Sequence, residues 1–209
     1  MFKSLFISVL FVLSSHVIAA TATNIAESAE QVSPLLPGLT VPNVELKDQY
    51  GKTVSLAERF KEKTTVLIVY RGGWCPYCSK QLASVQKIEK ELANLNAQLI
   101  AVSPDSPEKL AETKITAPSY QLLSDDSLTL AQTLGLAFYL DDKTAKIYRN
   151  KLGVNFVSLE GEPKVALPVP AVFVIDTNGL VHFQYANPNY KVRLTEDLLL
   201  AAVKSVSEQ

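Results

Sequence analysis

The pair Cys75 and Cys78 constrains this chain more than any other feature, because of what stands on either side of it. Upstream, Thr64 to Tyr70 is a near-continuous β-branched run, Thr-Thr-Val-Leu-Ile-Val-Tyr. Such a run suits a strand covered on both faces of a mostly parallel sheet. Downstream, Leu82, Val85, Ile88, Leu92 and Leu95 recur at spacings of three and four, which predicts a helix from Pro76 to about Leu95. The two thiols therefore fall where a buried strand gives way to a helix N-terminus. Unpaired N–H groups and a partial positive charge gather there and favour thiolate over thiol. Pro76 costs nothing at a first helical position and keeps the turn stiff, and Arg71 and Lys80 add positive charge nearby. Two thiols at this spacing can close a reversible disulfide, and C-x-x-C after a strand and before a helix is a strong redox signal.

Rival readings of the dithiol fare worse. A bond between cysteines three apart closes almost no loop, so it makes a poor structural staple. A structural zinc site needs four ligands. The chain has two Cys and two His, and His16 lies in the N-terminal apolar segment, so Cys75, Cys78 and His182 leave such a set incomplete. No metal or cofactor is expected. His182 falls on the polar face of the alternating run Val181 to Tyr185 and reads as a surface or edge histidine rather than a catalytic base. No Ser/His/Asp hydrolase can be assembled from this inventory. Asp125-Asp126 and Asp141-Asp142 read as loop and helix-start residues rather than metal ligands. A net charge of -1 gives no reason to expect nucleic acid as a partner. A binding module in which the C-x-x-C motif is incidental stays open, but it leaves the helix-start placement of both thiols unused.

Residues 1–20 have the layout of a secretory signal peptide: Lys3, an apolar run from Leu5 to Ile18, then Ala19-Ala20-Thr21-Ala22. Cleavage after Ala20 or Ala22 exports the protein to a periplasm or the extracellular space, with no stable membrane insertion afterwards; an uncleaved anchor is the alternative. Residues 21–33 read as a flexible leader and residues 34–207 as one domain. Within it the pattern predicts strands at Gln98 to Val102, Tyr120 to Leu123, Ala171 to Ile175 and Val181 to Tyr185, the last two joined by an Asn178-Gly179 hairpin turn. Helices are expected from Ser106-Pro107, over Ser127 to Leu134 and over Thr195 to Val206. Residues 138–166 look like an insertion with one helix around Lys143 to Lys151. The order argues an α/β sheet, parallel at the centre with an antiparallel edge.

Three segments carry a family resemblance. Val-Tyr-Arg-Gly-Gly-Trp-Cys-Pro-Tyr-Cys (69–78), Leu-Pro-Val-Pro-Ala-Val-Phe-Val-Ile-Asp (167–176) and Asn-Pro-Asn-Tyr-Lys-Val-Arg-Leu (187–194) resemble the peroxiredoxin-like branch of the alkyl hydroperoxide reductase/thiol-specific antioxidant (AhpC/TSA) proteins. That resemblance covers about residues 34–205. It implies a thioredoxin-like fold, a central mixed sheet flanked by helices, with the insertion placed before the strand that a cis-proline opens. Pro170 stands where that proline belongs, and the resemblance implies that it leaves the Val169 backbone free to pair with a substrate strand. Trp74, Arg71, Pro76 and Tyr77 are the residues expected to shape the site around catalytic Cys75 and Cys78.

The chain also departs from the pattern. Ordinary peroxiredoxins resemble Thr-x-x-Cys, with the second residue attacking peroxide and an arginine near the cis-proline position. Cys78 takes that second position, Cys75 takes the threonine position and Pro170 takes the arginine position, which leaves Arg71 as a substitute. Pro-Tyr between the cysteines also resembles glutaredoxins. Two activities follow. One reduces hydroperoxides through a Cys75/Cys78 dithiol–disulfide cycle, restored by a thiol donor such as a thioredoxin-like protein or glutathione. The other exchanges protein disulfides through Cys75, with Cys78 resolving.

Overall fold

The computed structural model describes residues 25–112, 120–152 and 164–207. The signal peptide read over residues 1–20 lies outside the described residues, as do residues 153–163 of the insertion. The chain enters through β1 (Glu45–Asp48), β2 (Thr53–Ser55) and α1 (Leu56–Glu62), then crosses the centre in β3 (Thr64–Val69). α2 (Pro76–Gln86), α3 (Glu89–Asn94), β4 (Ala97–Ser103) and α4 (Pro107–Ala111) follow. Next come β5 (Gln121–Ser124), α5 (Thr129–Thr133), β6 (Ala137–Tyr139) and α6 (Asp142–Leu152). β7 (Ala166–Pro168), β8 (Ala171–Ile175), β9 (Val181–Ala186) and α7 (Glu196–Ser207) close the order.

Seven strands form one sheet in the order β2-β1-β5-β4-β3-β8-β9. β4 lies parallel to both β3 and β5, while β8 and β9 on one side and β1 and β2 on the other run antiparallel. β3 alternates between two cores. Val66, Ile68 and the following Tyr70 point into the core closed by Leu82, Val85 and Leu92 of α2 and α3 and by Leu199 and Val203 of α7. Leu67 and Val69 point into the opposite core with Leu56 and Phe60 of α1, Leu130 of α5 and Phe173 of β8. Complete burial of such side chains stabilises by about 1.5–3 kcal/mol each. The double-sided cover makes β3 a rigid base for the segment that leaves its end.

Most of the expected strands and helices appear close to where the pattern places them. Ser106 caps α4, its hydroxyl accepting from Lys109 N–H at 3.4 Å. The hairpin turn before β9 is held by Asp176, whose Oδ1 accepts from Asn178 and Leu180 N–H.

Three expectations change. The helix from Pro76 to about Leu95 is two helices, because Lys87 and Ile88 N–H donate three residues back to Ser84 and Val85. This tighter turn breaks the helix yet keeps Leu82, Val85, Ile88 and Leu92 in one core. The leader read as flexible over 21–33 is docked from Ile25 onward. Ala26 N–H donates to Ala137 O at 2.9 Å, Tyr139 N–H donates to Ala26 O at 2.9 Å, and Ala29 and Val32 pack on the core. Its small apolar residues find the open edge of β6. Gly135 admits this contact: its φ is +63°, and a Cβ there would run into the Ser33 carbonyl.

The third correction concerns Pro170. No peptide bond among the described residues is cis, so Val169–Pro170 is trans. Val169 N–H donates to Leu136 O at 2.9 Å and Pro170 O accepts from Asn187 N–H at 3.3 Å. The chain between β7 and β8 is thus already paired on both sides in an extended path. The Val169 N–H is taken and is not open to a substrate strand.

Candidate active site

The dithiol emerges from the end of β3. Tyr70 N–H still donates to Val102 O at 2.9 Å, after which Arg71 to Trp74 turn the chain. Gly72 is required in that turn: its φ is +137°, and a Cβ would collide with the Trp74 indole and the Asp105 carboxylate. The turn is fixed from outside by Asp105, whose Oδ2 accepts from Gly73 N–H at 2.7 Å and Ser103 Oγ at 3.0 Å. Burial pushes the Asp105 carboxyl up, and those two bonds oppose it.

Cys75 is the N-cap of α2 and Pro76 its first residue, so Cys78 lies in the first turn. Cys75 O accepts from Cys78 and Ser79 N–H, each at 3.0 Å. Both cysteines are free thiols and buried, at 1% and 0% exposure. The neighbouring Cys78 thiol is the main cause that lowers Cys75 to about 6; burial opposes it, and the Cys78 N–H and the charges of Arg71 and Arg193 add to the lowering. Cys78 moves the opposite way, pushed up first by Cys75 and then by burial. The pair thus favours ionisation at Cys75 over ionisation at Cys78.

Two arginines face the pair. Arg193 Nη2 donates to Cys78 Sγ at 3.4 Å. The Arg71 charge acts on Cys75, while its backbone N–H favours an anion at Cys78. The Arg71 side chain is only 3% exposed and is enclosed by aromatic rings. Its guanidinium carbon lies 4.2 Å from the Tyr190 ring centre, 5.2 Å from Trp74 and 5.4 Å from Tyr148. Nη2 donates to Tyr148 Oη at 3.1 Å, and Tyr148 stands edge-on to Trp74 with ring centres 5.3 Å apart. Tyr77 meets Tyr190 in the same manner at 5.8 Å, with 37% of its surface exposed.

Arg71, Trp74, Cys75, Pro76, Tyr77 and Cys78 therefore converge, while Pro170 contributes backbone pairing. Lys80 is exposed and acts on Glu196 instead, whose carboxyl is lowered first by its own backbone N–H and then by Ser84, with Lys87 and Lys80 adding to this. A second arginine, Arg193 from the loop before α7, reaches the pair as well. It lies within the 187–194 segment that carries the family resemblance, but its partner was not legible there. Tyr148 had no signal at all, being one polar-helix residue within an insertion. His182 is an edge residue, its Nε2 2.9 Å from Asp176 Oδ2 across the hairpin turn. Among the described residues no group of three or more His, Cys, Asp or Glu side chains gathers as a metal would require, and no helix is long and apolar enough to cross a membrane.

A dithiol at the start of the helix that follows the central strand, in a sheet of this order, defines a thioredoxin-fold thiol oxidoreductase. The chain belongs to the AhpC/TSA family, whose profile it matches over residues 37–184. It is similar to peroxiredoxin Bcp of Bacillus subtilis, 28% identical over 174 residues that cover 82% of this chain and 97% of that one. With peroxiredoxin Q of Triticum aestivum it shares 33% identity over 150 residues, 72% of this chain and 58% of the plant protein. Among solved structures, peroxidoxin BcpB of Mycobacterium tuberculosis superposes with a TM-score of 0.62 at 24% identity, covering 81% of this chain and 97% of that one. The protein is accordingly a peroxiredoxin-type thiol oxidoreductase.

Proposed function

We propose that the protein reduces hydroperoxides with the Cys75 thiolate as nucleophile and Cys78 as resolving thiol, the reverse of the assignment implied by the family pattern. The observation that carries this reading is the place of Cys75 at the N-cap of α2, directly before Pro76, with the Cys78 thiol in the first turn and the Arg71 and Arg193 charges lowering the Cys75 thiol. Cys75 S⁻ attacks the terminal oxygen of ROOH; the O–O bond breaks and Cys75 becomes a sulfenic acid. The departing RO⁻ takes the Cys78 proton and leaves as alcohol. The Cys78 thiolate so formed is met by the Arg193 guanidinium and the Arg71 N–H. It attacks the Cys75 sulfenic sulfur, the S–O bond breaks, and hydroxide leaves to become water. Two electrons have passed from the dithiol to the peroxide, and an external thiol must return them. The signal-peptide pattern of residues 1–20 supports placing this activity outside the cytoplasm.

Single-turnover mass spectrometry of the reduced mature protein with hydrogen peroxide tests the reading. A sulfenic acid trapped in Cys78→Ser but absent in Cys75→Ser supports it. Trapping only in Cys75→Ser moves the nucleophile to Cys78. Absence of peroxide reaction, with a mixed disulfide to a protein substrate trapped through Cys75, would make the protein a disulfide exchanger; the low Cys75 pKa and the proline that follows favour that second reading.

A further inference from the structure

Arg71 is a buried cation with no carboxylate beside it among the described residues. No carboxylate among the described residues pairs with Arg71 or Arg193; the ion pairs present all lie elsewhere. Among the described residues, Nε of Arg71 and Nε of Arg193 are both buried without a hydrogen-bond partner. Buried charges ordinarily have a partner, because an unpaired one forfeits its hydration. The three rings and the Tyr148 hydroxyl offset part of that loss for Arg71, since the face of an aromatic ring attracts a cation. They carry no charge. In the reduced protein the compensating anion is the Cys75 thiolate. Disulfide formation removes it and leaves two guanidiniums and a helix N-terminus facing a neutral S–S bond.

From this arrangement we propose that Arg71 anchors the reductant, and that the reductant is a small thiol bearing a carboxylate. The anchor is strongest in the oxidised protein, the state that needs electrons. The carboxylate takes the place of Tyr148 Oη on the Arg71 guanidinium, and the bound thiolate attacks the Cys75 sulfur. The Cys75–Cys78 bond breaks, a mixed disulfide forms on Cys75, and Cys78 leaves as a thiolate facing Arg193, then takes a proton from water. A second molecule of the thiol attacks the mixed disulfide, releasing the small-molecule disulfide and restoring the Cys75 thiolate. Two thiols are oxidised for each protein disulfide reduced.

This inference rests on the dithiol cycle proposed above but does not depend on peroxide as the oxidant, so the two fail separately. Mature protein is converted to the disulfide with a chemical oxidant, then mixed with glutathione or with its diethyl ester, which keeps the thiol and lacks the carboxylates. Trp74, the one tryptophan of the chain, reports the reaction by fluorescence. Glutathione is expected to reduce the protein about tenfold faster than the ester, the size of one charge-assisted contact. Arg71→Gln should bring that ratio to about one, and Arg71→Lys should restore part of it. Because both thiols meet the same cysteines, the ratio is blind to any change in Cys75 reactivity. Equal rates for acid and ester in the wild type, a ratio that survives Arg71→Gln, or reduction by a protein dithiol alone would overturn the proposal.

Discussion

Arg193 Nη2 donates to Cys78 Sγ across 3.4 Å, so a side chain from the loop before α7 reaches a sulfur in the first turn of α2. No carboxylate among the described residues competes for this guanidinium. In the proposed cycle its work comes after peroxide has reacted, when Cys78 has lost its proton and must attack. Arg193→Gln should therefore slow disulfide closure by about tenfold to a hundredfold while the first attack changes less. Dimedone trapping in a quenched time course measures both steps. An unchanged sulfenic acid lifetime in the variant would show that the contact is packing only.

The Cys75 thiolate gives a second prediction. Its pKa is lowered to about 6, chiefly by the Cys78 thiol. Alkylation of Cys75 by iodoacetamide should rise through that pH and level off above it. Cys78→Ala removes that thiol, and the midpoint should move up toward the ordinary thiol value of about 8.5. A midpoint that stays put in Cys78→Ala would assign the effect to the helix N-terminus and the arginines instead.

The fold was largely legible because its signals are local and strong. The β-branched run of Thr64 to Tyr70 can be buried on both faces only at a sheet centre, and Pro76 after Cys75 marks a helix start wherever it occurs. The dithiol was legible for the same reason, since both sulfurs lie within four consecutive residues. What surrounds them was not. Arg193 lies 115 residues from Cys78 and Tyr148 lies 77 residues from Arg71, and each is one polar residue among many. Only tertiary closure selects them. The expected cis bond at Pro170 is absent because the trans path is held by hydrogen bonds to Leu136 and Asn187 that no local pattern reveals.

Tyr148 supplies a third prediction. It closes the aromatic box by hydrogen bonding Arg71 and standing against Trp74. Tyr148→Ala should open the dithiol, raising the plateau rate of Cys75 alkylation by about tenfold without shifting its pH midpoint. A change in the midpoint with no change in the plateau would mean that Tyr148 acts through the Arg71 charge rather than as cover.

Asp125 contributes a pH dependence to stability. It is 3% exposed and replaces a missing cap on α5, whose N-cap, Leu128, has a φ of +57° and no side-chain bond to give. Oδ1 accepts from Leu130 N–H at 3.0 Å and Oδ2 from Ala131 N–H at 2.9 Å. Burial raises the carboxyl to about 7 in spite of those donors. The folded protein thus holds this proton more tightly than the unfolded chain, whose carboxyl titrates near 3.8. Its contribution to stability is full below the unfolded value, declines as pH rises between the two, and is gone above the folded one. Urea unfolding at about pH 5 and about pH 8 should show wild type losing more stability over that interval than Asp125→Asn, which cannot ionise. Parallel losses in the two proteins would mean that Asp125 ionises in the fold as it does in the unfolded chain, with the two amides outweighing its burial.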